Sequence, residues 1–199
     1  MRVATILFAG LVACAVAASP GIAQQKDEPV KVRVQSGPDV GQRAPDFSLP
    51  WANREGIGPI ESPSQLASDR GKTVVVAFYG RDFTKGGTEQ MRTFAQQYDS
   101  LMGSDAVLVA ISTDSVTTHG RFAASLNLPF RLLSDPEQRV SKQYASKDSE
   151  GYNRSTIYVV GPDGRVKFRN LRFNALDPND YNELRNAVKS ASRSSKSSS

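Results

Sequence analysis

Cys14 is the only cysteine and His119 the only histidine in this chain of 199 residues. Those two counts exclude a histidine-rich metal centre and a working cysteine–histidine pair. The segment with most chemical potential is Gly80-Arg81-Asp82-Phe83-Thr84-Lys85-Gly86-Gly87-Thr88. Gly86-Gly87-Thr88 reads as the opening of a helix, whose first N–H groups have no partner within the helix. With Arg81 and Lys85 beside them, those groups suit a small anion or a carboxylate. Other polar residues read as structural. His119 falls near the start of a surface helix, in a solvated position. Asp114 and Asp135 follow strand ends and fit turns and caps. Trp51 and the Tyr144–Tyr152 loop fit packing roles. Gly151, Gly161 and Gly164 fit turns, and no phosphate-binding loop of the Walker or dinucleotide type is present.

These residues must be held by a framework, and its elements are legible. Four apolar segments rich in β-branched residues are bounded by breakers: Thr73 to Tyr79, Ala106 to Thr113, Thr156 to Val160, and Val166 to about Phe173. The first two are nearly continuous in apolar residues, as central strands covered on both faces are. Gly161-Pro162-Asp163-Gly164 makes the last two an antiparallel hairpin. Met91, Phe94, Ala95, Tyr98, Leu101 and Met102 share one helical stripe. Further helices are expected over Val116 to Leu126, over Pro136 to Tyr144, and from the Asp177-Pro178 cap through Tyr181, Leu184 and Val188. Trp51 to Gly71 reads as loop with a short helical turn. A parallel βαβ half followed by an antiparallel ββα half is the thioredoxin arrangement: an α/β fold with a central mixed sheet flanked by helices.

The two ends differ from this middle. Met1-Arg2, the apolar run Val3 to Ala18, and the breaker Ser19-Pro20-Gly21-Ile22-Ala23 have the form of an export signal over residues 1–23. Leu11-Val12-Ala13-Cys14 also fits a lipobox, with Cys14 as the lipid attachment point. Cleavage near Ala23, lipidation at Cys14 and an uncleaved anchor all place the domain outside the cytoplasm. Residues 24–38 read as a linker, in which the Val30–Val34 alternation is either extended linker or a short edge strand. Residues 39–190 form the domain. Residues 191–199 read as a disordered, serine-rich basic tail.

The formal charge is +5. Setting aside Arg2, Lys189, Arg193 and Lys196 leaves +1 for the folded core, which gives no electrostatic footprint for nucleic acid. Beyond the leader no apolar run approaches the roughly 20 residues a spanning helix needs.

Several segments together resemble peroxiredoxins of the alkyl-hydroperoxide-reductase/thiol-specific-antioxidant superfamily. Gly41-Gln42-Arg43-Ala44-Pro45-Asp46-Phe47-Ser48-Leu49 is similar to their opening segment. Val74 to Thr84 is similar to the strand and loop that lead to their active site. Leu128-Pro129-Phe130-Arg131-Leu132-Leu133-Ser134-Asp135-Pro136 resembles the segment before their third helix, and Arg154 to Val160 the strand bearing their active-site arginine. The resemblance spans residues 39 to 190 in order and is nearest to the monomeric, bacterioferritin-comigratory branch.

The resemblance implies a site built from Pro-x-x-x-Thr-x-x-Cys and a distant arginine. A cysteine at a helix N-terminus has its thiolate favoured by the dipole and free N–H groups. The arginine and the threonine hydroxyl hold the peroxide oxygens in line. In this chain the threonine is Thr84 and the arginine Arg154. Gly80 stands at the proline position, Gly87 at the cysteine position, and Arg92 at the position of a resolving cysteine. The expectation is therefore a degenerate site with no catalytic residue, metal or cofactor. Thr84, Gly86, Gly87, Thr88 and Arg154 remain as a candidate anion-binding set. The alternative is a relic whose arginine is satisfied by a carboxylate or backbone carbonyls. The chain then acts by binding a partner protein or a small anionic ligand, as a monomer or weak dimer. The rival readings are a thiol-dependent peroxidase, as the resemblance implies, and a structural accessory of the cell envelope.

Overall fold

The computed structural model describes residues 36–196. The expected signal segment, Cys14, the Val30–Val34 alternation and the last three residues of the tail lie outside the described residues.

The strands in chain order are β1 (Ser48–Leu49), β2 (Trp51–Asn53), β3 (Gly56–Ile57), β4 (Ser64–Gln65), β5 (Thr73–Phe78), β6 (Ala106–Ser112), β7 (Arg131–Ser134), β8 (Thr156–Val160) and β9 (Val166–Asn170). The helices are α1 (Lys85–Gln96), α2 (Tyr98–Met102), α3 (Val116–Ser125), α4 (Arg139–Gln143) and α5 (Pro178–Lys196), with a 3₁₀ turn at Leu66–Asp69. One seven-stranded sheet runs β3-β2-β7-β6-β5-β8-β9, and β1 pairs with β4 separately. β5, β6 and β7 are mutually parallel, while β8 runs antiparallel to β5 and pairs with β9 as a hairpin. This is the thioredoxin fold.

Alternation along β5 builds both faces of the sheet. Val75, Ala77 and the following Tyr79 face a core closed by Met91 and Phe94 of α1, Leu101 and Met102 of α2, Phe122 of α3, and Tyr181, Leu184 and Val188 of α5. Val74, Val76 and Phe78 face a second core with Ala44, Phe47, Leu66, Val140 and Tyr144. Every residue of β5 and β8 is buried, which is why both read as unbroken apolar runs.

The mixed topology decides where a site can form. The C-terminal ends of β5, β6 and β7 and the N-terminal end of β8 lie at one end of the sheet. There the chain places the loop 79–84, Asp114, Asp135 and Arg154.

Four expectations need correction. The stripe Met91 to Met102 is two helices, because Gln97 (φ −103°, ψ 8°) interrupts the backbone between α1 and α2. The helix expected over Pro136 to Tyr144 is only Arg139–Gln143, since Gln138 is left-handed at φ 52°. Trp51 to Gly71 contains a small β2–β3 hairpin that joins the main sheet through Trp51 and Ala52 against Leu133 and Leu132. The tail expected to be disordered from residue 191 continues as helix to Lys196. Ala191 is buried there, and the Ser192 hydroxyl bonds the Thr73 hydroxyl at 3.0 Å.

Candidate functional site

Thr84 is the N-cap of α1. Its extended backbone (φ −78°, ψ 157°) ends the loop, and its hydroxyl oxygen accepts from the Gly87 N–H at 3.2 Å. The same hydroxyl donates to the Arg81 carbonyl at 2.8 Å. The Thr88 N–H bonds the Thr84 carbonyl at 2.8 Å. Thr84, Gly87 and Thr88 therefore come together at the start of α1. The capping bond satisfies one of the first N–H groups, leaving the Lys85 and Gly86 amides as those without an intrahelical acceptor.

Gly87 is buried, while Gly86, Lys85 and Thr84 are exposed. A Cβ on residue 87 would overlap the Arg81 carbonyl oxygen and lie 3.1 Å from the Thr84 hydroxyl oxygen. The loop backbone fills the space a side chain would take. At Gly80 a Cβ would meet only the Asn153 carbonyl, at 3.8 Å.

The Arg154 guanidinium donates to the Ala145 carbonyl at 2.6 Å, and the Arg154 N–H donates to the Ser146 carbonyl at 2.7 Å. Arginine and threonine thus have separate backbone partners. The two segments meet one residue further on, where the Ser155 hydroxyl bonds the Gln90 side-chain oxygen on α1 at 3.0 Å. The buried Gln90 Nε2 has no partner among the described residues. Arg92 is exposed and pairs with Glu89 along α1 at 3.8 Å.

Arg81 extends along the surface of the mouth. Its guanidinium carbon lies 5.4 Å from the centre of the exposed Tyr152 ring, and its Nε is 3.7 Å from an Asp114 carboxylate oxygen. Phe83 is exposed, holds a left-handed backbone at φ 57°, and packs edge-on against Phe122 with ring centres 4.9 Å apart. The first turn of α1 contains no acidic residue, so Lys85 and the helix dipole favour an anion there, while Asp114 balances the charge of Arg81.

His119 corrects the sequence reading most sharply. It is fully buried, on the α3 face that also buries Phe122 and Ala123. Its Nδ1 lies 2.8 Å from the buried Asp82 carboxylate and its Nε2 3.2 Å from the Leu133 carbonyl. The Tyr79 hydroxyl donates to the other Asp82 oxygen at 2.6 Å. Asp114 accepts from the Asp82 N–H at 2.9 Å and from the Ser112 hydroxyl at 2.8 Å. Asp135 caps α4, taking the Arg139 and Ser141 N–H groups and the Ser141 hydroxyl. Tyr79 and Asp82 had no role in the sequence reading. Their signal was local: a tyrosine just past an apolar strand, an acid three residues on, and a histidine at helical spacing from Phe122 and Ala123.

Trp51 donates to the Ser62 carbonyl and lies under the Arg131 guanidinium at 5.7 Å. Tyr144 is buried, bonded to the Pro45 carbonyl. Among the described residues no three metal-ligating side chains converge.

The AhpC/TSA family matches residues 40–169. The chain is 32% identical over 136 residues to peroxiredoxin Bcp of Bacillus subtilis, covering 64% of this chain and 82% of that protein. It is 38% identical over 104 residues to the chloroplastic peroxiredoxin Q of Sedum lineare, covering 52% of each. The fold is similar to a mutant of Xylella fastidiosa PrxQ, with TM-score 0.66 at 19% identity over 78% of this chain and 98% of that one. It is also similar to a reduced Plasmodium vivax 2-Cys peroxiredoxin, with TM-score 0.67 at 21% identity over 79% and 98%.

Proposed function

This chain belongs to the AhpC/TSA family, and we propose that it is a member without redox activity, acting by binding and not by reducing peroxides with its own thiol. One observation carries the reading. Position 87, where the family resemblance puts the reactive cysteine, is a glycine pressed against the Arg81 carbonyl, and Cys14 is the chain's only cysteine. Peroxide reduction needs a thiolate to attack the peroxide oxygen and become a sulfenic acid. Neither Gly87 nor the Thr84 hydroxyl supplies one.

What supports binding is the mouth formed by Lys85 and the Lys85 and Gly86 amides, with the Arg81–Asp114 pair beside it and the exposed rings of Phe83 and Tyr152 at its rim. Its ligand in this reading is a small anion or an acidic group of a partner protein. Arg154 belongs to the same candidate set, with one guanidinium nitrogen held by the Ala145 carbonyl. The leader-like sequence of residues 1–23 supports export, with Cys14 removed or lipidated.

The deciding assay is peroxide consumption by the full chain with a dithiol reductant, run beside Cys14→Ser. No turnover above buffer in either is the expected result. Turnover lost in Cys14→Ser would establish a peroxidase that uses Cys14, and turnover kept in both would overturn the redox-inactive reading outright. Mass spectrometry of the mature N-terminus distinguishes cleavage near Ala23 from lipid on Cys14.

A further inference from the structure

The buried cluster of Asp82, His119 and Tyr79 has a proton count that its partners fix. The Leu133 carbonyl only accepts, so His119 Nε2 carries a proton. Burial and the neighbouring Asp82 charge push the Tyr79 hydroxyl well above its ordinary range, so Tyr79 is the donor to Asp82. One proton then lies between His119 Nδ1 and Asp82 Oδ2, 2.8 Å apart, with both side chains fully buried. The Tyr79 hydroxyl, donating to the other Asp82 oxygen, favours the carboxylate form of Asp82. The proton belongs on Nδ1, making an imidazolium–carboxylate pair with no net charge.

This pair holds a loop. Asp82 is tied through its side chain to His119 and Tyr79, and through its N–H to Asp114. Its neighbours are Arg81, whose carbonyl fills the space beside Gly87, and Phe83, whose left-handed backbone needs support from its surroundings. Next comes the Thr84 cap. The titratable and charged groups facing the pair are Tyr79 from the end of β5, Asp114 following β6, and Arg81 from the loop. β7 contributes only the Leu133 carbonyl.

We propose that Asp82 and His119 are positioning residues, a buried one-proton pair that clamps the Arg81–Thr84 loop over the N-terminus of α1 and releases it when the pair gains or loses a proton. Removing the Nδ1 proton sets its lone pair against a carboxylate oxygen and leaves a buried anion. Adding a proton to Asp82 leaves a buried imidazolium. Either state carries an uncompensated charge that is relieved when the loop opens to water. This inference does not depend on whether the domain binds an anion or consumes peroxide.

The sole histidine gives a single imidazole signal, so nitrogen NMR of the full chain reads the pair directly. The expected result at pH 7 is protons on both ring nitrogens in the wild type, and a neutral ring with its proton on Nε2 in Asp82→Asn. A neutral wild-type ring would overturn the proposal. Amide exchange supplies the second readout. Asp82, Gly87 and Thr88 should be protected over a bounded pH range, with exchange relative to β6 rising on both sides of it. His119→Gln, which leaves the Asp82 carboxylate buried without its counter-charge, should raise that relative exchange on the order of a hundredfold at pH 7. Asp82→Asn makes a neutral pair that keeps its hydrogen bonds, so its relative protection should no longer change with pH. Wild-type relative protection at those amides that is independent of pH, or unchanged in His119→Gln, would reduce the cluster to core packing and overturn the clamp. If either variant fails to fold, the wild-type ring signature and pH profile still decide.

Discussion

The carbonyl oxygen of Arg81 occupies the space that a Cβ on Gly87 would need. The same carbonyl accepts from the Thr84 hydroxyl, so it cannot withdraw without disturbing the cap. Gly87→Ala should therefore destabilise the fold by about 1–3 kcal/mol in chemical denaturation, although alanine is the better helix former. Gly87→Cys should be destabilised similarly. Its thiol should titrate near the ordinary value of about 8.5, because the displaced loop no longer presents a formed pocket. A strongly acidic thiol in Gly87→Cys would show that the Thr84 framework still activates a sulfur there.

Thr84 caps α1 through its hydroxyl. Thr84→Ala should cost about 1 kcal/mol, and Thr84→Ser should recover most of that loss. Equal losses for both variants in urea titrations would mean that the methyl group, not the capping oxygen, is what matters.

Four buried tyrosines set an alkaline limit. Burial pushes Tyr158 and Tyr181 up to about 12, and raises Tyr79 and Tyr144 further. The unfolded chain loses these protons near about 10, so above that pH the folded state binds more protons than the unfolded one. Their contribution is complete below about pH 10 and is lost as the pH rises through the folded values. Ultraviolet titration should show these phenols ionising together with loss of circular dichroism. Full ionisation near pH 10 in a protein that stays folded would contradict the burial of all four.

Thr156 starts β8 fully buried, and its hydroxyl oxygen has no hydrogen-bond partner among the described residues. Valine keeps the β-branched shape without the unsatisfied group. Thr156→Val should stabilise by about 1 kcal/mol, measured as a shift in denaturation midpoint. A loss of stability would reveal a bound water at this position.

How far the sequence disclosed this molecule depended on whether a residue's neighbours were local. β5, β6 and β8 were legible because their burial on both faces leaves unbroken runs such as Val74-Val75-Val76. The hairpin at Trp51–Ile57 was not, since its pairing with Leu132 and Leu133 spans some eighty residues of chain. At the site, the helix opening at Gly86-Gly87-Thr88 was legible because it is local, while the Thr84 hydroxyl's bond to the Gly87 N–H came only with the structure. His119 was not legible. Its place is decided by Asp82, 37 residues earlier, and by the Leu133 carbonyl, neither of which helical periodicity encodes. The Arg81 carbonyl beside Gly87 was hidden for another reason: backbone leaves no trace in residue type.

The last turn of α5 rests on the first residue of β5, through Ser192 and Thr73. The Thr84 mouth opens beyond the other end of that six-residue strand, about 20 Å away along the sheet. An attachment made at the C-terminal helix therefore holds the domain by its far pole. A bead, a sensor chip or a fused protein joined there would leave the mouth facing outward, ready to be screened for what it takes up.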